Sequence, residues 1–409
     1  MTAGAASTRP DPKSVLSADV YKGDVLAARL RRTTDGVEFR YLDDYLRSAR
    51  APVATTLPLT DEPWTLSAGA VPAFFAGLLP EGRRLSNLRR AVKTSADDDL
   101  SLLLAVGSDT VGDVRVVAEG SDLQSPRSLV EVKRNFNEVR FADVLGEAGI
   151  VDLVALAGVQ DKASARILSV PITRAGRRYI LKVDPPEFPH VVVNEDYFLR
   201  LARRARFPVV SARIVFDATE RPGLLVERFD RVSMPDGSAK SLAVEDAAQV
   251  LGLYPADKYV VSSERVAEAL SRHCAARLLA LREIYRQFCF AWLTGNGDLH
   301  AKNLSVVHEE GEWRVAPAYD LPSTLPYGDS TAALTIDGTN CGFSRRRLLQ
   351  FGAAIGLREK VTETVLDEVL AATSSVEEDW LSGGFPFDSE TVRRVTRPLR
   401  RRRKDAEGM

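Results

Sequence analysis

The pattern of apolar residues changes near residue 230, and this change constrains the fold more than any other feature of the sequence. Before it, short apolar or alternating runs between turns are typical of β-strands, at 151–156, 163–170, 178–183 and 223–226. After it, apolar residues recur at helical spacing between Leu278 and Trp292, and residues 342–380 have a helical pattern as well. A β-rich lobe followed by a helical lobe predicts an α+β, two-lobed enzyme with a cleft.

The composition is that of an ordinary folded protein. Hydrophobic residues make up 45% of the chain and charged residues 27%, which excludes a mainly disordered or collagen-like protein. The net charge of −1 argues against nucleic-acid binding by the whole surface. The length of 409 residues predicts two or three domains.

The cysteines and the apolar runs predict a cytoplasmic protein without a membrane segment. Cys274, Cys289 and Cys341 show no paired spacing, as expected in a reducing compartment. No run approaches the ~18 continuous apolar residues of a membrane helix. The N-terminus lacks the charged start and apolar centre of a secretion signal.

We expect five parts along the chain. Residues 1–16 form a flexible tail, 17–119 an N-terminal subdomain and 120–230 the β-rich lobe. Residues 231–390 form the helical lobe, and 391–409 a basic C-terminal tail.

Local signals place several elements within these parts. Residues 20–31 and 36–41 predict a β-hairpin in the N-terminal subdomain. Asn194 is expected to cap a helix, and Gly295 to end the long helix that precedes it. Residues 304–315 predict a second, short hairpin.

The segment 294–303 carries the most informative chemistry. Asp298 lies five residues before Asn303 in a loop that leaves a buried helix, which is the spacing of a protein-kinase catalytic loop. In such a loop the aspartate accepts the proton of the attacking hydroxyl and the asparagine holds Mg²⁺. The spacing therefore predicts phosphoryl transfer.

Three further residues come in the same order along the chain as their counterparts in protein kinases. Asp320 comes after the second hairpin, where kinases present their second Mg²⁺-binding aspartate. Lys182 ends the third strand of the β-rich lobe and would reach the α- and β-phosphates of ATP, and Glu195 is positioned to pair with it. Each signal alone is more often a turn, a solvated lysine or a cap, but the combination in this order favours a kinase.

Three more features carry weaker signals. His300 could take part in the reaction or brace the loop, and Lys302 could touch the γ-phosphate or lie at the surface. The expected ATP loop contains a single glycine, and no GxxxxGK[ST] motif is present, which disfavours a P-loop NTPase. The residues of that loop are Ala157, Gly158, Val159, Gln160, Asp161 and Lys162.

Together these segments resemble the HipA family, the serine/threonine kinase toxins of bacterial toxin–antitoxin modules. The resemblance covers most of the chain. It rests on residues 20–41, 74–82, 156–162, 180–182, 194–195, 227–231, 245–246, 258–259, 296–303 and 318–320.

The resemblance implies a fold related to protein kinases and a role for each matching residue. Asp298 would be the catalytic base, and Asn303 and Asp320 the Mg²⁺ ligands. The backbone of Glu227 and Phe229 would meet adenine. The expected ATP-binding residues are the loop 157–162, Lys182, Glu227, Phe229, His300, Lys302, Asn303, Tyr319 and Asp320.

The resemblance also implies partners. They are a helix-turn-helix, HipB-like antitoxin, DNA reached through that antitoxin, and a protein substrate in translation such as an aminoacyl-tRNA synthetase. One position departs from the family: Ala155 occupies the place of a serine whose autophosphorylation silences many members. Because alanine has no hydroxyl, we expect that switch to be missing.

Two alternatives remain at this stage. A small-molecule phosphotransferase of the aminoglycoside or choline kinase type also uses an Asp-x-His…Asn loop, although Asn296 and the N-terminal subdomain disfavour it. A non-catalytic subunit of an antitoxin–DNA repressor complex would not need Lys182, Asp298, Asn303 and Asp320 together. The basic run 393–404 is expected to be a solvated helix end or tail, or else to add nucleic-acid affinity.

Overall fold

The architecture was analysed in a computed structural model of the full chain. The residues it describes are 11–48, 50–67, 69–95, 97–121, 123, 130–147, 167–234 and 238–408. The expected strand 151–156, Ala155 and the expected ATP loop 157–162 lie outside the described residues.

The N-terminal subdomain is built on an antiparallel sheet with strand order β4-β3-β2-β1-β5. The predicted hairpin is present, but its first strand is divided by a turn at Gly23, whose φ of +60° suits glycine. The inner face packs buried aromatic rings, among them Phe39 and Phe75 with centroids 5.4 Å apart. Its elements are β1 Ser17–Lys22, β2 Val25–Arg32, β3 Gly36–Tyr41, α1 Asp43–Arg47, β4 Trp64–Ser67, α2 Ala73–Gly77, α3 Gly82–Val92, α4 Asp99–Val106 and β5 Val114–Ala118.

The β-rich lobe contains a second sheet, with strand order β6-β7-β8-β10-β9. Strands β6 and β7 are parallel, and the other neighbours pair antiparallel. One apolar face of this sheet packs against helix α5 and the other against helix α6. The elements are β6 Val130–Glu131, α5 Phe141–Glu147, β7 Leu168–Arg174, β8 Arg177–Val183, α6 Val191–Arg204, β9 Ala212–Phe216 and β10 Pro222–Glu227.

The predicted cap of α6 is wrong. The helix begins at Val191, and Asn194 lies inside it, fully buried. The carboxylate of Asp184 accepts hydrogen bonds from the backbone N–H groups of His190 and Val192, each at 2.8 Å. Asp184 therefore satisfies the N–H groups at this end of the helix.

The helical lobe surrounds α9, a helix that is buried for most of its length. Gly295 ends it in the left-handed conformation (φ +74°), as predicted, and the second hairpin is formed by β14 and β15. The elements are β11 Arg231–Ser233, β12 Ala239–Ser241, β13 Val244–Asp246, α7 Ala247–Val250, α8 Ser263–His273, α9 Arg277–Thr294, β14 Ser305–Glu309, β15 Glu312–Val315, α10 Arg345–Ala354, α11 Glu359–Ala372, α12 Val376–Leu381 and α13 Ser389–Glu407. Short 3-10 helices are found at Pro12–Ser14, Gly107–Asp109, Phe136–Glu138, Pro255–Asp257, Ala301–Asn303 and Leu325–Tyr327.

The arginine-rich C-terminus forms a packed helix, α13, and not a free tail. Val395 and Leu399 are buried on one of its faces. The Arg402 guanidinium lies 4.0 Å from the ring centroid of Trp292 and donates a 2.8 Å hydrogen bond to the Trp292 carbonyl oxygen. An exposed row remains on the opposite face, made of Arg393, Arg397, Arg401 and Lys404.

Buried charges join the N-terminal subdomain to the segment where the β-rich lobe passes into the helical lobe. Arg228 and Arg231 each form an ion pair with Asp109, at 2.9 and 3.1 Å. Both guanidinium groups also bind Asp230, whose carboxylate accepts a hydrogen bond from the backbone N–H of Gly112. We call Asp109, Arg228, Asp230 and Arg231 the hinge cluster. The three units together form the predicted α+β, two-lobed architecture with an appended subdomain.

No helix in the described part of the chain is long and apolar enough to cross a membrane.

Candidate active site

Lys182 lies between two carboxylates at the cleft. Strand β8 carries it, and α6 places Glu195 so that the two carboxylate oxygens lie 2.8 and 3.0 Å from the ammonium nitrogen. The predicted ion pair is therefore formed. A third contact, of 2.5 Å, joins the same nitrogen to Asp320. We call these three residues the cleft cluster; it connects the β-rich lobe to the helical lobe.

In the cleft cluster, burial and the neighbouring charges shift the pKa values of Lys182 and Glu195 in opposite directions. Burial alone lowers the pKa of Lys182, but Asp320 and Glu195 outweigh it and raise that pKa above its usual value. Burial raises the pKa of Glu195 to about 7, although Lys182 opposes the shift. The lysine is therefore charged at neutral pH, as a phosphate-binding group must be.

Asn296 joins the predicted base, Asp298, to the predicted metal ligand, Asp320. Its side-chain oxygen accepts a hydrogen bond from the backbone N–H of Asp298 at 2.8 Å. Its amide nitrogen donates to the backbone carbonyl of Asp320 at 3.3 Å. Since Asp320 also contacts Lys182, the predicted base, metal ligand and phosphate-binding lysine belong to one connected site.

The side chain of Asn303 forms a hydrogen bond within the catalytic loop. Its side-chain nitrogen donates a 2.8 Å hydrogen bond to the carbonyl oxygen of Asp298. Because the amide nitrogen of Asn303 makes this hydrogen bond, the oxygen of the same amide is the atom that could bind a cation. With the carboxylate of Asp320, it supplies the hard oxygen donors that Mg²⁺ prefers. The donor set therefore fits the predicted metal.

The backbone at Asp320 adopts an unusual conformation. Its φ is +55°, in the left-handed region that non-glycine residues seldom occupy. Such conformations persist where the surrounding contacts over-determine them, and they cluster at functional sites. The ion pair with Lys182 and the hydrogen bond from Asn296 hold this residue in place.

Tyr259 contacts the predicted base, a role that the sequence did not reveal. Its hydroxyl donates a 2.7 Å hydrogen bond to Oδ1 of Asp298, and its ring meets His300 edge-on with centroids 5.0 Å apart. Burial, followed by the charge of Asp298, raises the pKa of Tyr259, so the hydroxyl keeps its proton. No local spacing distinguishes this tyrosine, because the contact is between distant segments.

The structure places His300 and Lys302 differently from each other. His300 Nε2 lies 3.9 Å from Oδ1 of Asp298, and Nδ1 accepts a 3.2 Å hydrogen bond from the backbone N–H of Lys302. The Lys302 ammonium instead points toward the N-terminal subdomain, 2.8 Å from the carbonyl oxygen of Gly77. It lies 3.3 Å from Asp246 and 3.7 Å from Glu81. These contacts give Lys302 a bracing position, and its contact with a nucleotide stays a prediction.

Phe229, one of the two residues predicted to meet adenine, lies against Tyr319, which directly precedes Asp320. The rings of Phe229 and Tyr319 are stacked with centroids 5.8 Å apart. The Tyr319 hydroxyl donates to the carbonyl oxygen of Lys302 at 2.9 Å, which links this pair to the catalytic loop. The backbone N–H of Glu227 donates to the carbonyl of Ser211, and its side chain pairs with Arg177. Adenine binding at Glu227 and Phe229 stays a prediction.

A two-lobed fold with a lysine–glutamate pair, an aspartate–asparagine loop and a second aspartate defines a kinase-like phosphotransferase. Comparison with known families agrees with this class. The HipA N-terminal domain matches residues 18–117, and the HipA-like C-terminal domain matches residues 154–377. The chain belongs to the HipA family, and it is a kinase.

Individual relatives cover most of the chain. The serine/threonine-protein kinase toxin HipA of Shewanella oneidensis is 27% identical over 351 residues, 79% of each chain. The protein Y4dM of Sinorhizobium fredii is 32% identical over 318 residues, 71% of this chain and 72% of that one. A solved structure of Shewanella oneidensis HipA with HipB and operator DNA has the same fold. It gives a TM-score of 0.76 at 22% identity, over 96% of this chain and 97% of that one.

Proposed function

We propose that this kinase is the toxin of a toxin–antitoxin module and that it transfers the γ-phosphoryl group of ATP, with Mg²⁺, to a protein hydroxyl. One observation carries the proposal. Through Asn296, the backbone of Asp298 is tied to that of Asp320, and Asp320 contacts Lys182. Base, metal ligand and phosphate-binding cation are thus held together before any ligand arrives, as phosphoryl transfer requires.

Each residue then has a defined task. Asp298 accepts the proton of the acceptor hydroxyl, while the hydrogen bond from Tyr259 fixes one of its carboxylate oxygens. Asn303 and Asp320 would hold Mg²⁺, which neutralises charge on the phosphate oxygens when it is bound. Lys182 binds phosphate, and Glu195 keeps it oriented. The loop 157–162 is proposed to cover the phosphates.

The substrate and the partner follow from the family. We propose a protein acceptor in translation, such as an aminoacyl-tRNA synthetase, and a helix-turn-helix antitoxin through which the kinase is brought to DNA. The support for the antitoxin is the solved Shewanella relative, which was determined with HipB and operator DNA. An adjacent small helix-turn-helix reading frame whose product co-purifies with the kinase would support the module.

The catalytic assignment is tested by Asp298→Asn. We expect the variant to fold and to bind ATP and Mg²⁺, but to transfer phosphate about 10²–10⁴-fold more slowly, because it lacks the general base. Asp143→Asn, an exposed aspartate on α5, is the matched control and should transfer at the wild-type rate. Transfer by Asp298→Asn at the wild-type rate would overturn the assignment.

The acceptor class is tested with labelled ATP. The wild-type kinase is offered a lysate proteome in one reaction and a panel of aminoglycosides and choline in another. Labelled protein bands that disappear with Asp298→Asn support the protein kinase. Labelled small molecules without labelled protein would instead favour a small-molecule phosphotransferase.

A further inference from the structure

One carboxylate of the N-terminal subdomain reaches two lysines beside the catalytic loop. Glu81 directly precedes α3, and its Oε2 lies 2.5 Å from the Lys258 ammonium nitrogen. Its Oε1 lies 3.7 Å from the Lys302 ammonium nitrogen. Both lysine side chains are only 11% exposed and that of Glu81 is 30% exposed, so the ion pairs are partly shielded from water and salt.

Both lysines are connected to the predicted base. Lys302 lies inside the catalytic loop, directly before Asn303, which holds the backbone of Asp298. The carbonyl oxygen of Lys258 accepts a 3.2 Å hydrogen bond from the backbone N–H of Ala301. The hydroxyl of the next residue, Tyr259, donates a 2.7 Å hydrogen bond to Asp298. Glu81 therefore reaches the loop by two routes, one through Lys302 and one through the segment of Lys258 and Tyr259.

The subdomain gives Glu81 a fixed position. The carbonyl oxygen of Gly77 accepts a hydrogen bond from Lys302 at 2.8 Å. The side chain of Gln249 donates to the carbonyl of Phe74 at 3.0 Å, and the hinge cluster fastens the subdomain at a second place. The helical lobe supplies one further carboxylate to Lys302, that of Asp246 at 3.3 Å. The catalytic loop is thus braced by its own lobe and by the subdomain together.

We propose that Glu81 is a positioning residue for phosphoryl transfer, through which the N-terminal subdomain holds the catalytic loop in its working geometry. This inference rests on the proposed function of the same loop. Glu81 acts through Lys258 and Lys302 and does not itself contact Lys182. Its loss should therefore slow the transfer step and leave nucleotide binding intact, whereas a role in fastening the subdomain alone would leave the loop unchanged.

The first experiment compares steady-state kinetics of Glu81→Gln with wild type. We expect kcat to fall tenfold or more while KM for ATP stays within twofold, because the cleft cluster is untouched. The matched control is Glu187→Gln, which removes the ion pair between Arg83 of α3 and the β-rich lobe without contacting the loop. It should change kcat and KM less than twofold. A kcat for Glu81→Gln equal to the control overturns the proposal.

Hydrogen exchange gives a readout that needs no activity. Without nucleotide, the amides of Asp298, Ala301 and Asn303 should exchange at least tenfold faster in Glu81→Gln than in wild type, while amides of the subdomain sheet stay unchanged. Equal acceleration throughout the subdomain would show a merely structural role and overturn the proposal. A looser loop in Glu81→Gln, together with a wild type that transfers no phosphate, would overturn the proposed function and the role in transfer, and would support only that Glu81 holds the loop.

Glu81→Asp keeps the charge and serves if Glu81→Gln does not fold. Because its carboxylate is one methylene shorter, we expect kcat and loop exchange between those of the wild type and those of a variant without the charge. Wild-type values of both kcat and loop exchange in Glu81→Asp would exclude a positioning role.

Discussion

Two buried lysines in this kinase have nearly the same surroundings and different positions in the fold. Lys182 lies between Glu195 and Asp320, and Lys302 between Asp246 and Glu81. Burial alone lowers the pKa of each lysine, and in both cases the two carboxylates reverse the effect. Charge and burial by themselves therefore do not distinguish a nucleotide-binding lysine from a bracing one.

The difference lies in the elements that each lysine joins. Lys182 bridges the two kinase lobes, and one of its partners, Asp320, is itself a proposed metal ligand. Lys302 joins the catalytic loop to the N-terminal subdomain, and the carbonyl of Gly77 occupies a further donor position. In the proposed function Lys182 would exchange a carboxylate for a phosphate, whereas the contacts of Lys302 in the structure are with protein groups. The role of each follows from topology and not from the local chemistry.

We expect Lys182→Met to have the largest effect on phosphate transfer, and it is the most direct test of the difference between the two lysines. If Lys182 binds phosphate as proposed, removing its charge should reduce phosphate transfer about 10²–10³-fold, as the loss of other preorganised charge stabilisers does. Affinity for ATP, measured by calorimetry, should also fall. Lys360→Met, at an exposed position of α11, is the control and should bind ATP normally. If Lys182→Met binds and transfers normally, the two lysines do not differ as described.

Lys302→Met should have a smaller effect on transfer and a clear effect on stability. The substitution leaves the mostly buried carboxylate of Asp246 without its cation, while Glu81 keeps Lys258, and we expect a cost of about 3 kcal/mol of unfolding free energy. We expect kcat to fall about tenfold and ATP affinity to stay unchanged, because the brace affects only loop geometry. Urea unfolding and calorimetry measure both quantities. A loss of ATP affinity as large as that of Lys182→Met would assign Lys302 to the nucleotide site.

The hinge cluster separates two effects of Lys302, because this cluster also holds the N-terminal subdomain in place but does not contact the catalytic loop. Burial alone raises the pKa of Asp230, but Arg228 and Arg231 outweigh it and lower that pKa from 3.8 to about 2. The ionised carboxylate of Asp230 therefore stabilises the folded protein above pH 4, and this contribution is lost as the pH falls from about 4 to about 2. It amounts to about 2 kcal/mol from the size of the shift.

The measurement compares wild type with Asp230→Asn, which cannot titrate at this position. The difference in unfolding free energy between the two should shrink by about 2 kcal/mol between pH 5 and pH 2. At neutral pH the hydrogen-exchange rate of the catalytic loop should be less affected by Asp230→Asn than by Glu81→Gln. A difference in free energy that does not vary with pH would contradict the shifted pKa.

Several parts of the structure could be predicted because their causes are local. The hairpins, the end of α9 at Gly295 and the strand that carries Lys182 each depend on residues within a few positions of one another. The pairing of Lys182 with Glu195 was also predicted, because kinase order specifies it. The start of α6 was misplaced, since Asp184 provides the hydrogen bonds that Asn194 was expected to make.

Sequence by itself determined the two-lobed class and the chemical groups of the site, because periodicity and the spacing of Asp298 and Asn303 are properties of short segments. Only the tertiary structure decided which groups meet. Lys302 and Gly77 are 225 positions apart, and Tyr259 reaches Asp298 across 39 positions. Such contacts depend on how whole elements pack, and no local pattern encodes them. For the same reason the arginines of α13 divide into a buried Arg402 and an exposed row only once the helix has docked on Trp292.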